Sequence, residues 1–115
     1  MLLENKIVLI TGAGNGIGAG VAQAMAEAGA NVVCADINAE AAQQAADNAA
    51  RAGVESLALA ADVGDVDAIE AMLDAAMERF GRLDVIVNNA GVTRKAYIMD
   101  LTEADWDRSH RVNSK

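Results

Sequence analysis

Short unbroken apolar runs alternate along the chain with longer stretches in which apolar residues recur at helical spacing. The runs predict strands near 6–11, 31–36, 56–62 and 83–88. The stretches between them predict helices near 16–28, 39–52, 65–80 and 102–114. Strands with no polar alternation are buried on both faces, the mark of a parallel sheet covered by crossover helices. Helical spacing puts Ile17, Val21, Met25 and Ala28 on the core face of the first helix, and Ile69, Leu73, Ala76 and Phe80 on that of the third. The second helix is mostly alanine and can pack only thinly. Gly29, Gly53 and Gly81 close the first three helices, where a left-handed residue turns the chain into the next strand. Asn38, Asp65 and Thr102 stand at N-cap positions, and Thr102 with Asp105 resembles a capping box.

Right-handed crossovers assemble these strands in the order 3-2-1-4, a truncated doubly wound α/β sheet with a crevice where strands 1 and 4 diverge. In that order Leu83-Asp84-Val85-Ile86-Val87 is an apolar edge, blunted only by Asp84. The chain is therefore expected to self-associate through this edge, as a homo-oligomer, or to aggregate.

The most informative polar pattern follows the first strand. Thr11-Gly12-Ala13-Gly14-Asn15-Gly16-Ile17-Gly18 is a glycine-dense turn that opens the first helix. Missing side chains let the backbone bend and let a pyrophosphate approach it, and the first free N–H groups of the helix direct partial positive charge at that anion. Gly14-x-Gly16-x-x-Ala19 and Gly12-x-x-x-Gly16-x-Gly18 are both workable registers. Asp36 ends the second strand, where a carboxylate can accept hydrogen bonds from the adenosine ribose hydroxyls. An aspartate at a strand end also serves as a helix cap, so the turn beside Asp36 is what gives it a ligand. Strand, turn, helix and carboxylate together imply a dinucleotide site, for NAD in preference to NADP. Asp36 would repel a 2′-phosphate, and Ala13, Gly14, Asn15 and Ile37 offer no basic side chain to hold one.

Composition narrows the partners. At 115 residues with a net charge of −8 the chain is one domain at most, and its acidity argues against nucleic acid or an anionic membrane surface. Cys34 is the only cysteine, within a predicted central strand, so it reads as a buried apolar thiol rather than a nucleophile. No metal-ligand set is expected. No signal-peptide pattern or membrane-length apolar run occurs in the sequence, and a cytoplasmic location is expected.

With these residues identified, the chain resembles the short-chain dehydrogenase/reductase family along essentially its whole length. Thr11-Gly12 through Gly16-Ile17-Gly18 resembles the family's cofactor turn and Asp62-Val63 its adenine contact. Asn88-Asn89-Ala90-Gly91 resembles its strand-4 motif, and Asn113 its catalytic asparagine. The resemblance implies a Rossmann-type fold and a cofactor site drawn from Gly12, Asn15, Gly16, Ile17, Gly18, Asp36, Asp62, Val63, Asn89, Ala90 and Gly91. Asp62 can accept from the adenine amino group, and it can equally cap the helix that follows. Asn88 and Asn89 can tie neighbouring loops together, and Ala90-Gly91 leaves room for a ribose near the backbone. Asn113 is implied to help hold a water on a proton path.

The family's chemistry passes a hydride between nicotinamide and a secondary alcohol or ketone, with proton transfer by the tyrosine of a Tyr-x-x-x-Lys segment, whose pKa a nearby lysine lowers. Here the sole tyrosine begins Tyr97-Ile98-Met99-Asp100-Leu101, with leucine where lysine is required, and neither Lys95 nor Lys115 has the spacing. Ser114-Lys115 also departs from the apolar residue usual after the asparagine, and His110 reads as a solvated histidine rather than a substitute acid/base. The expectation is that residues 1–115 are the N-terminal dinucleotide-binding portion of one Rossmann-type domain, with its catalytic half absent and the chain alone inactive. The alternatives are a non-catalytic NAD-binding module and an inactive truncated product. Activity with alcohols, saturable NAD binding without turnover, and an unfolded chain would distinguish the three.

Overall fold

The computed structural model describes residues 2–89 and the strand backbone at 98–101. Along these residues run β1 (Ile7–Thr11), α1 (Gly16–Glu27), β2 (Asn31–Asp36), α2 (Ala39–Ala50), β3 (Ser56–Ala60), α3 (Val66–Phe80), β4 (Leu83–Asn88) and β5 (Ile98–Leu101). The sheet order is β3-β2-β1-β4-β5. β1 lies parallel to both β2 and β4, and β2 lies parallel to β3, which is the expected 3-2-1-4 arrangement of a Rossmann-type α/β fold. The predicted strand at 56–62 stops at Ala60, and the predicted second helix stops at Ala50. The predicted helix at 102–114, with its Thr102 cap, lies outside the described residues.

β5 corrects one expectation. β4 is not an open edge, because β5 pairs with it antiparallel through Val87 with Ile98, Ile86 with Met99 and Leu83 with Leu101, across an irregular register between Leu83 and Ile86. Backbone groups that a bare edge would leave unpaired are satisfied within the chain, which removes the ground for association through β4. Nor does Asp84 guard that edge. Its Oδ2 accepts from the Ile7 N–H at 2.8 Å, and its carboxylate takes a forked contact from Arg82 at 2.8–3.0 Å. Asp84 thereby anchors the start of β1 to β4.

Side chains alternate across the central strands, and both faces are buried. Val8, Ile10, Val32, Cys34 and Val87 face α1 and α2. Ile7, Leu9, Val33, Ala35 and Leu83 face α3. Val8, Leu9, Ile10, Val32 and Val33 lose all solvent contact, and complete burial of such a side chain contributes roughly 1.5–3 kcal/mol. α2 packs through Ala42, Ala45, Ala46 and Ala49, and α3 through Met72, Leu73, Ala76 and Met77 with Ile69 and Phe80 only partly buried.

In α1 the buried face is not the one that helical spacing predicts. Gly18, Ala22 and Ala26 are buried, while Val21 and Met25 are partly covered and Ile17 is 58% exposed. The smallest residues lie against the sheet and let the helix axis approach it closely, which turns the larger apolar side chains toward the flank. Gly29, Gly53 and Gly81 all have positive φ, at 101°, 91° and 80°, as their helix-ending positions require. Asn38 and Asp65 cap α2 and α3 as expected, and a third cap, Asn15, begins α1.

Cys34 has no solvent contact, and burial pushes its thiol up to about 11 from an ordinary 9.0. Iodoacetamide at pH 8 is expected to leave it unmodified in the folded chain and to label it on unfolding. The unfolded thiol loses its proton first as pH rises, so the stability Cys34 contributes is complete below about pH 9 and lost on approaching about pH 11. Urea titrations across that interval should show a downward slope that Cys34→Ala diminishes. An equal slope in both proteins would refute the assignment.

Candidate functional site

The parallel strands end on one side of the sheet, where the turns that leave β1, β2 and β3 gather with Asn88 and Asn89 at the end of β4. After β1, Gly12 takes φ 64°, a left-handed bend that non-glycine residues rarely adopt. Asn15 then caps α1, its Oδ1 accepting from the Gly18 N–H at 2.9 Å, while the Ala19 N–H donates to Asn15 O at 2.7 Å. The amides of Gly16 and Ile17 make no hydrogen bond to another described residue, and both residues are exposed. They are the two open donors of the helix N-terminus, where the backbone dipole favours an anion.

The glycines of the turn differ in what surrounds them. A Cβ on Gly18 would run into the carbonyl of Gly12 and stand 2.9 Å from Asn89 Nδ2. A Cβ on Gly16 would meet nothing within 4 Å among the described residues. Gly18 is thus demanded by the fold. Gly16 is not, and the bare surface over it is one that a phosphate can approach.

Asp36 is half-buried at the end of β2 and already carries two hydrogen bonds. The Gly14 N–H donates to its Oδ2 and the Asn38 N–H to its Oδ1, each at 2.9 Å. A carboxylate offers about four lone-pair directions, so one side of each oxygen remains available. A cleft of about 350 Å³ lies over this region, lined by Gly12, Asn15, Asp36, Ile37, Ala61, Asp62 and Val63. No basic side chain is among them. Ile37, 72% exposed, forms an apolar wall beside Asp36. The sequence placed Ile37 after the strand but gave no sign that it faces solvent there.

Asp62 sits at the turn after β3 and does not cap α3, which Asp65 does with hydrogen bonds to the Asp67 and Ala68 amides. Instead Asp62 Oδ1 accepts from the Gly64 N–H at 2.9 Å in a local turn that leaves the side chain exposed. Asp62 and Val63 also border a more apolar cavity of about 610 Å³ that reaches Thr11, Asn88 and Ile86 and the Ile69, Met72 and Leu73 side chains of α3.

The end of β4 is tied to the end of β1. Thr11 Oγ1 donates to Asn88 Oδ1 at 2.9 Å and accepts from the Asn89 N–H at 3.0 Å. Buried Asn89 also donates through Nδ2 to Asn15 Oδ1 at 3.3 Å, so a single oxygen of Asn15 joins the end of β4 to the α1 cap. Asn15 was read from the sequence as a ligand contact alone, and its oxygen is engaged in structure. The Thr11 tie was not anticipated; a hydroxyl at the end of an apolar run was its only signal. Gly12, Asn15, Gly16, Ile17, Gly18, Asp36, Asp62, Val63 and Asn89 therefore gather around the strand ends, while Ala90, Gly91 and Asn113 lie outside the described residues.

Comparison with known proteins agrees with this layout. Residues 6–115 match the short chain dehydrogenase family. The chain is 41% identical over 114 residues to a versicolorin reductase of Emericella nidulans, across 98% of this chain and 43% of that protein. Among solved structures it is similar to a 3-ketoacyl-(acyl-carrier-protein) reductase from Brucella melitensis complexed with NADH, with 42% identity and a TM-score of 0.72 over 78% of this chain and 36% of that one. It is also similar to a 7α-hydroxysteroid dehydrogenase complexed with NADH and 7-oxo glycochenodeoxycholic acid, with 41% identity and a TM-score of 0.76 over 78% of this chain and 35% of that one. The chain spans less than half the length of the curated relatives it matches.

Proposed function

Because the chain belongs to the short chain dehydrogenase family, we propose that it supplies the dinucleotide-binding portion of an NAD-dependent oxidoreductase acting on a secondary alcohol or ketone. The observation that carries this reading is the cleft shared by Gly12, Asn15, Asp36, Ile37, Asp62 and Val63, with the open Gly16 and Ile17 amides at the start of α1 beside it. The residues fit a dinucleotide on their own chemistry. Bare backbone at Gly16 and two donors without a described partner suit a pyrophosphate, and the free sides of the Asp36 carboxylate suit a vicinal diol. Ile37 and Val63 offer apolar cover for an adenine ring, and Asp62 an acceptor for its amino group. When bound, the nicotinamide would donate or accept the hydride.

NAD is proposed over NADP because the Asp36 carboxylate, held by the Gly14 and Asn38 amides, would repel a 2′-phosphate, and among the described residues no basic side chain lines the cleft to offset that charge. Like charges a few ångströms apart cost on the order of 1–4 kcal/mol at effective dielectrics of 80 to 20, so NAD should bind tighter by about fivefold or more. NADH complexes of two similar proteins are consistent with the choice. Calorimetric titration of both dinucleotides tests it, and equal or tighter NADP binding would remove Asp36 from the role.

A further inference from the structure

Gly14 does not have a positive φ, so the bend of the turn does not explain a glycine at this position. Space does. A Cβ on Gly14 would collide with the Ala41 side chain in the first turn of α2, and would lie 3.0 Å from Asp36 Oδ2 and 3.1 Å from its Cγ. The same residue donates its N–H to Asp36 Oδ2 at 2.9 Å, while Asn38 at the start of α2 donates to Oδ1 at 2.9 Å. Asn38 Oδ1 in turn accepts from the Ala41 N–H at 3.1 Å. Each oxygen of Asp36 is therefore gripped by one backbone amide, one from the glycine turn and one from α2. The two segments can close on the carboxylate only because neither Gly14 nor Ala41 brings more atoms to their contact.

We propose that Gly14 is a positioning residue for cofactor choice: the side chain it lacks beside Ala41 lets the turn and α2 hold the Asp36 carboxylate where it accepts from a ribose diol and repels a 2′-phosphate. The proposal rests on the NAD reading of the cleft. A side chain at Gly14 must displace either α2 or the carboxylate, and both movements break the grip. A released carboxylate turns toward water, so it both binds the diol less well and repels the phosphate less. NAD affinity falls while NADP affinity does not fall with it. General loosening of the fold would weaken both dinucleotides together and leave their ratio unchanged.

Calorimetric titration of NAD and NADP against the full chain separates these outcomes. The NAD/NADP affinity ratio is expected to drop about tenfold in Gly14→Ala and to recover in part when Ala41→Gly is added, because the collision with Ala41 is relieved while the approach to Asp36 remains. Ala41→Val crowds the same contact from α2 with the glycine turn intact, and is expected to lower the ratio in the same direction even where Gly14→Ala does not fold. A wild-type ratio in both Gly14→Ala and Ala41→Val overturns the proposal, as does a Gly14→Ala defect that Ala41→Gly leaves uncorrected. A wild-type chain without NAD preference overturns the reading of Asp36 and the proposal with it, whereas wild-type preference unchanged in the crowded variants overturns the proposal alone.

Discussion

No turnover of secondary alcohols or ketones is expected from the 115-residue polypeptide, even under conditions in which it binds NAD. Dehydrogenation moves a proton along with the hydride, and that proton needs a group whose pKa lies near the working pH. The family resemblance assigns this task to the tyrosine of a Tyr-x-x-x-Lys segment. The single tyrosine, Tyr97, is followed at the required spacing by Leu101, so no ammonium can stand one helical turn away to lower a phenol's pKa. Loss of a general acid/base alone removes about 10²–10⁴ in rate, and the polypeptide carries only Asn113 of the implied catalytic set. Following NADH absorbance with a panel of secondary alcohols checks this. Turnover by purified polypeptide that disappears in Tyr97→Phe would show that Tyr97 moves the proton without the spaced lysine, and would overturn the expectation. Saturable NAD binding without turnover is the expected result.

The parts of the fold that were legible in the sequence are those where local chemistry leaves one solution. Val32-Val33-Cys34-Ala35 has no polar face to offer solvent, so a strand buried on both sides follows directly. Asn38 and Asp65 each precede helical stretches and have side chains that satisfy helix amides. The face of α1 was misread because Gly18, Ala22 and Ala26 carry little hydrophobic signal. Their importance is how closely they let two backbones approach, a property of the packed pair rather than of the residue. β5 was missed for a similar reason. Ile98–Leu101 is a run of only four residues interrupted by Asp100, and the backbone of β4 gives it its place. The described candidate residues lie together at the strand ends, but the sequence does not show which of their polar atoms the chain itself engages. Asp36 and Asn15 were read as ligand contacts, and the structure shows both also bonding to the backbone of the turn they border. A strand-end carboxylate or a turn asparagine has several acceptor directions, and sequence alone does not say which of them the chain itself fills.

Gly16 and Gly18, two positions apart, should give opposite changes in stability when each is replaced by alanine. In Gly18→Ala the new Cβ would press on the Gly12 carbonyl, which is main chain and cannot swing aside. Moving α1 outward would pull the Gly18 N–H from Asn15 Oδ1 and disturb the Asn89 contact with that same oxygen. Overpacking of this kind costs about 1–3 kcal/mol, and a weakened N-cap adds about 1 kcal/mol. Against a total stability of roughly 5–15 kcal/mol, the melting temperature should fall markedly, and NAD affinity should fall with it because the turn itself is displaced. In Gly16→Ala the Cβ enters space that is empty among the described residues, within the first turn of a helix where alanine is favoured over glycine by roughly 0.5–1 kcal/mol. Melting temperature should hold or rise. NAD affinity should nevertheless drop, because the methyl group would occupy the surface proposed for the pyrophosphate. Thermal denaturation and NAD titration of the two variants therefore form one test. A Gly18→Ala protein with wild-type melting would mean that the turn yields more easily than its contacts imply. Undiminished NAD binding by Gly16→Ala would place the anion elsewhere than over the open amides of Gly16 and Ile17.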